Sequence, residues 1–165
     1  MQVSVVGTKD RTFNRLLKMA VRSFGKNLFS TRLYKNISVH VAIYDRIGAG
    51  GYCECLDFGG KARNFLIELN RYNKKIYMVK ILAHEMVHVK QYAMNQLRDK
   101  SIKSKTVTSW YGVEFGEDVS YWDHPWEIEA YGLENSLVAK FLAEHNAFKE
   151  LKTKQSDWFM EDDKN

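Results

Sequence analysis

The stretch KKIYMVKILAHEMVHVKQYAMNQLRD, residues 74 to 99, contains neither glycine nor proline and places apolar side chains at Ile76, Val79, Leu82, Ala83, Met86, Val87 and Met94. That spacing predicts one long helix with a broad apolar side, largely buried. Inside it, His84 and His88 stand four residues apart, with Glu85 following the first. Residues four apart lie one turn up on nearly the same helix face, so the two imidazoles can reach one ion while Glu85 projects beside them.

With five histidines and eleven glutamates in 165 residues, the pattern H-E-x-x-H arises by accident in roughly one such chain in a hundred. A pair of surface histidines is the stronger competing explanation, and the apolar setting VKILAHEMVHV (79 to 89) argues against it. Burying two imidazoles and a carboxylate costs several kcal/mol unless they are paired or coordinated. A metal ion supplies that compensation.

Working outward, Phe13, Leu16, Leu17, Ala20, Val21 and Phe24 recur at helical spacing between Asp10 and Phe29, with Thr8 or Asp10 as N-cap. NISVHVAIYD (36 to 45), GYCECLDF (51 to 58) and RNFLIELN (63 to 70) read as three strands joined by glycine-containing turns, and so as a small, largely antiparallel sheet. Residues 100 to 124 form an aromatic excursion with one short hairpin, and Pro125 opens a second long helix that bends near Gly132. The fold class is therefore α+β: an N-terminal helix, a three-stranded sheet, the HEMVH helix, the excursion and a second ligand-bearing helix. Residues 1 to 152 are expected to form a single domain, with 153 to 165 a flexible tail.

The net charge of +5 divides unevenly, as +5 over residues 1 to 30, +8 over 31 to 113 and −8 over 114 to 165. A basic first two thirds suits an acidic partner, but scattered lysines more often form a solvated face, so nucleic acid is not the favoured partner. Cys53 and Cys55 are too few for a disulfide framework and read as free thiols. The N-terminal residues lack the apolar core of a signal peptide and no window is long and apolar enough to cross a membrane, which leads to the expectation of a cytoplasmic protein.

A catalytic zinc normally has three protein ligands and one open position, so one ligand must come from elsewhere in the chain. His124, Glu127, Glu129 and His145 are the downstream candidates. Glu127 falls in the first turn of the second helix, and Glu129 lies about 200° round its axis from Glu127, so one geometry cannot use both. Glu127 is favoured.

HEMVH followed by a second helix bearing EIEAY (127 to 131) resembles the gluzincin branch of the zinc metallopeptidases, or zincins, whose third ligand is a glutamate opening an E, three residues, then D or N pattern. The order of elements over about residues 10 to 150 is similar to minimal gluzincins and to SprT-like metalloprotease domains, including small phage-encoded ones. The resemblance implies Zn2+ held by His84, His88 and Glu127, and hydrolysis of peptide bonds by a metal-activated water with Glu85 as general base. SprT-like enzymes use a third histidine, which makes His124 the rival to Glu127. Tyr131 stands where the family carries a carboxylate that orients the first histidine, so Glu129, Asp123 or a backbone carbonyl would take that task.

Tyr121 and Tyr131 are the candidates to donate to the oxyanion formed during cleavage. A protein or peptide substrate would add as an extended strand to the edge GYCECLDF, where Tyr52, Glu54 and Leu56 alternate with Cys53 and Cys55. Trp110, Tyr111, Phe115, Tyr121 and Trp122 would form the far wall, although Trp110 and Trp122 fit better as caps on the core. The alternative function is an inactive zinc-binding interaction module, binding nucleic acid or acting on DNA-bound proteins.

Overall fold

The computed structural model describes residues 1–45, 50–57, 60–102, 105–116 and 118–145, with 100–102 and 105–106 described by their backbone alone. The tail expected from residue 153 onward lies outside the described residues. Strand β1 (Gln2–Val6) leads into helix α1 (Arg11–Leu28) and the short helix α2 (Thr31–Lys35). Strands β2 (Ser38–Tyr44), β3 (Gly51–Cys55) and β4 (Asn64–Asn70) precede helix α3 (Lys75–Ala93). Strands β5 (Leu97–Ile102), β6 (Lys105–Trp110) and β7 (Val113–Phe115), a 3-10 turn (Tyr121–Asp123) and helix α4 (Pro125–His145) complete an α+β fold.

The first sheet has four strands in the order β1-β2-β4-β3, and it corrects the expected three-stranded antiparallel arrangement. β1 pairs with β2 and β2 with β4 in parallel, and only β3 runs antiparallel, against β4. Alternation marks which face of each strand is buried, and it carries no information on which neighbour the strand takes. Val39, Val41 and Ile43 of β2, Phe65, Ile67 and Leu69 of β4 and Cys53 of β3 all turn to the helices, so one face of the sheet closes the core. β1 ends at Gly7, whose φ of +92 and contact with Ile43 leave no space for a side chain, since an added Cβ would lie 2.0 Å from the Ile43 carbonyl oxygen.

Asp10 caps α1 by accepting from the amide of Phe13 at 3.0 Å. α1 buries Phe13, Leu16, Leu17, Ala20, Val21 and Phe24. α3 packs against β3 and β4 on one side and against α1 and α4 on others, which explains its unbroken buried run from Leu82 to Val89. A helix enclosed by a sheet and two helices has no wet face along its middle. It is shorter than expected: Asn95 adopts φ 63, Gln96 returns its amide to the Gln91 carbonyl at 2.8 Å, and residues 97 to 99 join β5. Met94 is accordingly half exposed, not part of the buried side.

Instead of one hairpin, β5, β6 and β7 form a three-stranded antiparallel sheet in the order β5-β6-β7. Tyr111 and Gly112, at φ 48 and φ 86, make the two-residue turn between β6 and β7. This sheet sits at the C-terminal end of α3, where Trp110 and Phe115 meet Trp126 at ring-centroid distances of 6.5 Å and 5.2 Å. Among the described residues no helix is long and apolar enough to cross a membrane.

Candidate metal centre

α3 and α4 pack against each other and bring together His84, His88 and Glu127, three buried side chains whose donor atoms all lie within 4.8 Å of one another. Pro125 starts α4, and the His124 carbonyl accepts from the amides of Glu127 and Ile128 at 3.0 Å, so Glu127 sits in the first turn facing α3. The Nε2 atoms of His84 and His88 are 3.2 Å apart. Glu127 Oε2 is 3.1 Å from His84 Nε2, and its Oε1 is 3.5 Å from His88 Nε2. Ligand bonds of about 2.1 Å at tetrahedral angles set donors about 3.4 Å apart, so the group has the size and chemistry to hold a small metal ion.

The far side of each imidazole is held by a second partner. His84 Nδ1 lies 3.0 Å from Glu134 Oε2, and Glu134 is itself 3.4 Å from the Lys80 ammonium. His88 Nδ1 lies 2.8 Å from Gln91 Oε1. Both rings thereby point Nε2 at the shared centre, as ligand histidines require. Glu134 thus holds the first histidine, where Glu129, Asp123 or a backbone carbonyl had been expected. Glu129 instead takes hydrogen bonds from Lys90 at 2.6 Å and Gln91 at 2.9 Å, and Asp123 lies in the exposed 3-10 turn.

Burial opposes charge on His84, but hydrogen bonds to Glu127 and Glu134 outweigh it and push its pKa up to about 9. For His88, too, burial is outweighed, here by Glu127 and Glu85, and its pKa rises. Glu127 experiences the converse: burial raises its pKa, and its hydrogen bonds with His84, His88 and Tyr121 hold it well below the usual carboxylate range. Positive charge is thus favoured at the shared point, whether carried by protons or by a metal ion. Glu85 is raised by burial, with the two histidines working the other way.

Tyr121 donates its hydroxyl proton to Glu127 Oε2 at 2.6 Å, and burial together with that carboxylate keeps the phenol protonated far above its ordinary range. The Tyr131 ring packs edge-on against His84 at 4.6 Å. His124 is not in the group: its ring stacks on Trp126 at 4.3 Å. His145 lies at the other end of α4, against Phe141. Glu85, Tyr121 and Tyr131 all line a cleft of about 940 Å³ that opens over the three donors.

One wall of this cleft is β3, an edge strand that begins at Gly51. A Cβ on Gly51 would stand 2.4 Å from the Ile81 side chain and 3.1 Å from a carboxylate oxygen of Glu85. The missing side chain lets the strand approach Glu85 closely. Trp122 lines the opposite side 67% exposed and 5.3 Å from the Tyr131 ring, so it forms a rim and not the expected cap on the core.

Glu134 and Gln91 were not among the residues singled out in the sequence. Glu134 follows Glu127 by seven positions and Tyr131 by three, the spacing of one helix face, and that was the available signal. Gln91 follows His88 by three, a polar residue on an otherwise buried helix. Compared with models of protein families, with curated proteins and with solved structures, the chain has no match.

Proposed function

We propose that the protein is a zinc-dependent metallopeptidase with the layout of a minimal gluzincin. The observation that carries this reading is the convergence of His84, His88 and Glu127 at tetrahedral donor spacing, beside the buried carboxylate of Glu85 and at the floor of an open cleft. Two imidazoles and one carboxylate are the donor set of catalytic zinc sites that leave a coordination position open. Zinc, when bound, supplies the Lewis acid that polarises a carbonyl and brings the pKa of a water down to about 7.

The chain's own residues supply the rest. Glu85 accepts a proton from the attacking water and returns it to the departing amine, a role suited to a carboxylate whose proton affinity is raised by burial. Tyr121 holds Glu127 in place through its 2.6 Å hydrogen bond, a positioning role that differs from the expected oxyanion donor. Tyr131, against His84 at the cleft wall, remains the candidate to meet the developing oxyanion. An extended peptide adds to the free side of β3 and crosses Glu85 at Gly51, where no side chain intervenes.

The test is metal analysis of the purified protein together with cleavage of an unstructured protein by wild type and Glu85→Gln. Stoichiometric zinc in both, with cleavage only by wild type, is expected. Zinc without cleavage of a broad substrate panel by wild type would make the chain a metal-binding module, and absence of zinc affinity would remove the reading altogether.

A further inference from the structure

We propose that the end of the cleft closed by the second sheet is a pocket for a large apolar side chain, leucine, methionine or phenylalanine, carried by the peptide within two residues of the bond to be cleaved. The inference deepens the metallopeptidase reading and rests on it for the position of that bond. Tyr77, Ile81, His84, His88 and Tyr92 of α3 line the cleft at intervals of three or four residues. The cleft therefore follows one helix face for about 22 Å, with the two histidines at its middle. One end is polar and holds Tyr77, Lys80, Glu134 and Asn135. The other holds Cys53, Tyr92, Leu97 and Trp126.

Beyond the metal donors and Glu85, no charged group among the described residues lines this second end. Leu97, Cys53 and Trp126 are buried yet border the cleft, so the little surface they keep belongs to the recess. A buried cysteine behaves as a small hydrophobe. The Tyr92 hydroxyl donates to Asp99, which also accepts from Thr108 at 2.7 Å, so Tyr92 offers its ring to the cleft and keeps its polar tip outside. Trp126 is clamped by the His124 ring at 4.3 Å and the Phe115 ring at 5.2 Å. The second sheet thus builds the recess: β5 supplies Leu97 and the Asp99 that holds Tyr92, and β7 supplies Phe115. Walls fixed in advance lose little freedom when a side chain enters.

The spacing places this recess beside the scissile bond. Tyr92 is one turn beyond His88, about 6 Å along the axis, and Cys53 is two residues past Gly51, about 7 Å along β3. An extended peptide on β3 advances about 3.3 Å per residue, so the side chain that enters belongs to a residue one or two positions from the bond over Glu85. A lysine or aspartate there would lose its hydration and find no partner. Burying a leucine or phenylalanine side chain is worth about tenfold or more in affinity over alanine.

In the experiment, zinc-loaded Glu85→Gln is titrated with fluorescein-labelled serine and glycine peptides that carry one variable residue, Phe, Leu, Ala, Asp or Lys, and binding is read by anisotropy. Wild type receives the same peptides, and mass spectrometry locates the cut. Phe and Leu peptides should bind about tenfold or more tighter than the Ala peptide, with Asp and Lys weakest. The cut should fall within two residues of the variable position and move with it. Leu97→Phe and Cys53→Leu fill the recess from two different strands, and each should reduce the Phe-to-Ala ratio about tenfold at unchanged zinc content. Two independent variants keep the test decisive if one folds poorly. Equal affinity for the Phe and Ala peptides, or a preference that both filled variants retain, would overturn the pocket. The two readings fail separately: ordered binding with no cleavage by wild type supports the pocket and removes the peptidase, whereas cleavage without any order does the reverse.

Discussion

Gln91 holds His88 in one tautomer. Its Nε2 donates to the Trp126 carbonyl and to Glu129 Oε2, both at 2.9 Å, and those acceptors fix which way the buried amide points. Its Oε1 must then face His88 Nδ1, 2.8 Å away, and can only accept. The ring proton sits on Nδ1, and the Nε2 lone pair is left for an ion.

Gln91→Leu keeps the approximate volume and removes that constraint. Loss of a partner behind a ligand histidine typically weakens metal binding 10–100-fold, and that is the expected effect here. Zinc titration against a chelator of known affinity measures it. An unchanged affinity would mean that packing alone orients His88.

Glu134 gives a finer comparison, because Glu134→Gln can still accept from His84 Nδ1 while Glu134→Ala cannot. The alanine variant should lose metal affinity by about 10-fold or more, and the glutamine variant should retain most of it. Lys80, which faces Glu134 at 3.4 Å, should then tolerate Lys80→Met better in the glutamine background than in the wild type. Zinc affinity and thermal unfolding of the wild type and these four variants would show whether the carboxylate charge or only its acceptor is required.

These residues also mark where sequence reading stopped. His84, Glu85 and His88 were legible because one helix carries all three, and Glu127 because Pro125 sets the phase of its helix. Glu134 depends on how α3 lies across α4, a tertiary relationship that no local period reports. The parallel pairing of β2 with β4 was hidden for the same reason, since β3, between them in sequence, sits outside them in space. β1 was missed although Val3 and Val5 alternate as a half-buried strand should. The second sheet carries Lys, Ser and Thr through much of β5 and β6, so its period of two has little apolar contrast.

Gly51→Val tests whether close approach of β3 to Glu85 matters. Its Cβ would press on Ile81 and the Glu85 carboxylate, with the Glu68 carbonyl also 3.1 Å away. Overpacking of this kind costs about 1–3 kcal/mol, and the edge strand must move away from α3. Thermal unfolding should fall by several degrees while zinc stays stoichiometric, and peptide cleavage should drop at least tenfold. Full cleavage by a variant with normal zinc content would show that substrate does not pass over Gly51.

The metal-free protein should lose stability as pH rises, and the metal-loaded protein should not. His84 has a folded-state pKa of about 9 against an ordinary 6.5. A group whose pKa is raised by folding stabilises the fold fully below its unfolded value, and that contribution disappears as pH passes through the folded value. The window is therefore about pH 6.5 to 9, and the contribution is about 3 kcal/mol, counted once because the same contacts depress Glu127. With zinc present the direction reverses, since the ion needs neutral imidazoles and its binding releases protons, so affinity climbs over the same window. Urea unfolding at about pH 6, 8 and 10, with chelator and with zinc, should give midpoints that diverge steadily. Parallel midpoints would mean that no proton takes the ion's place between His84 and Glu127.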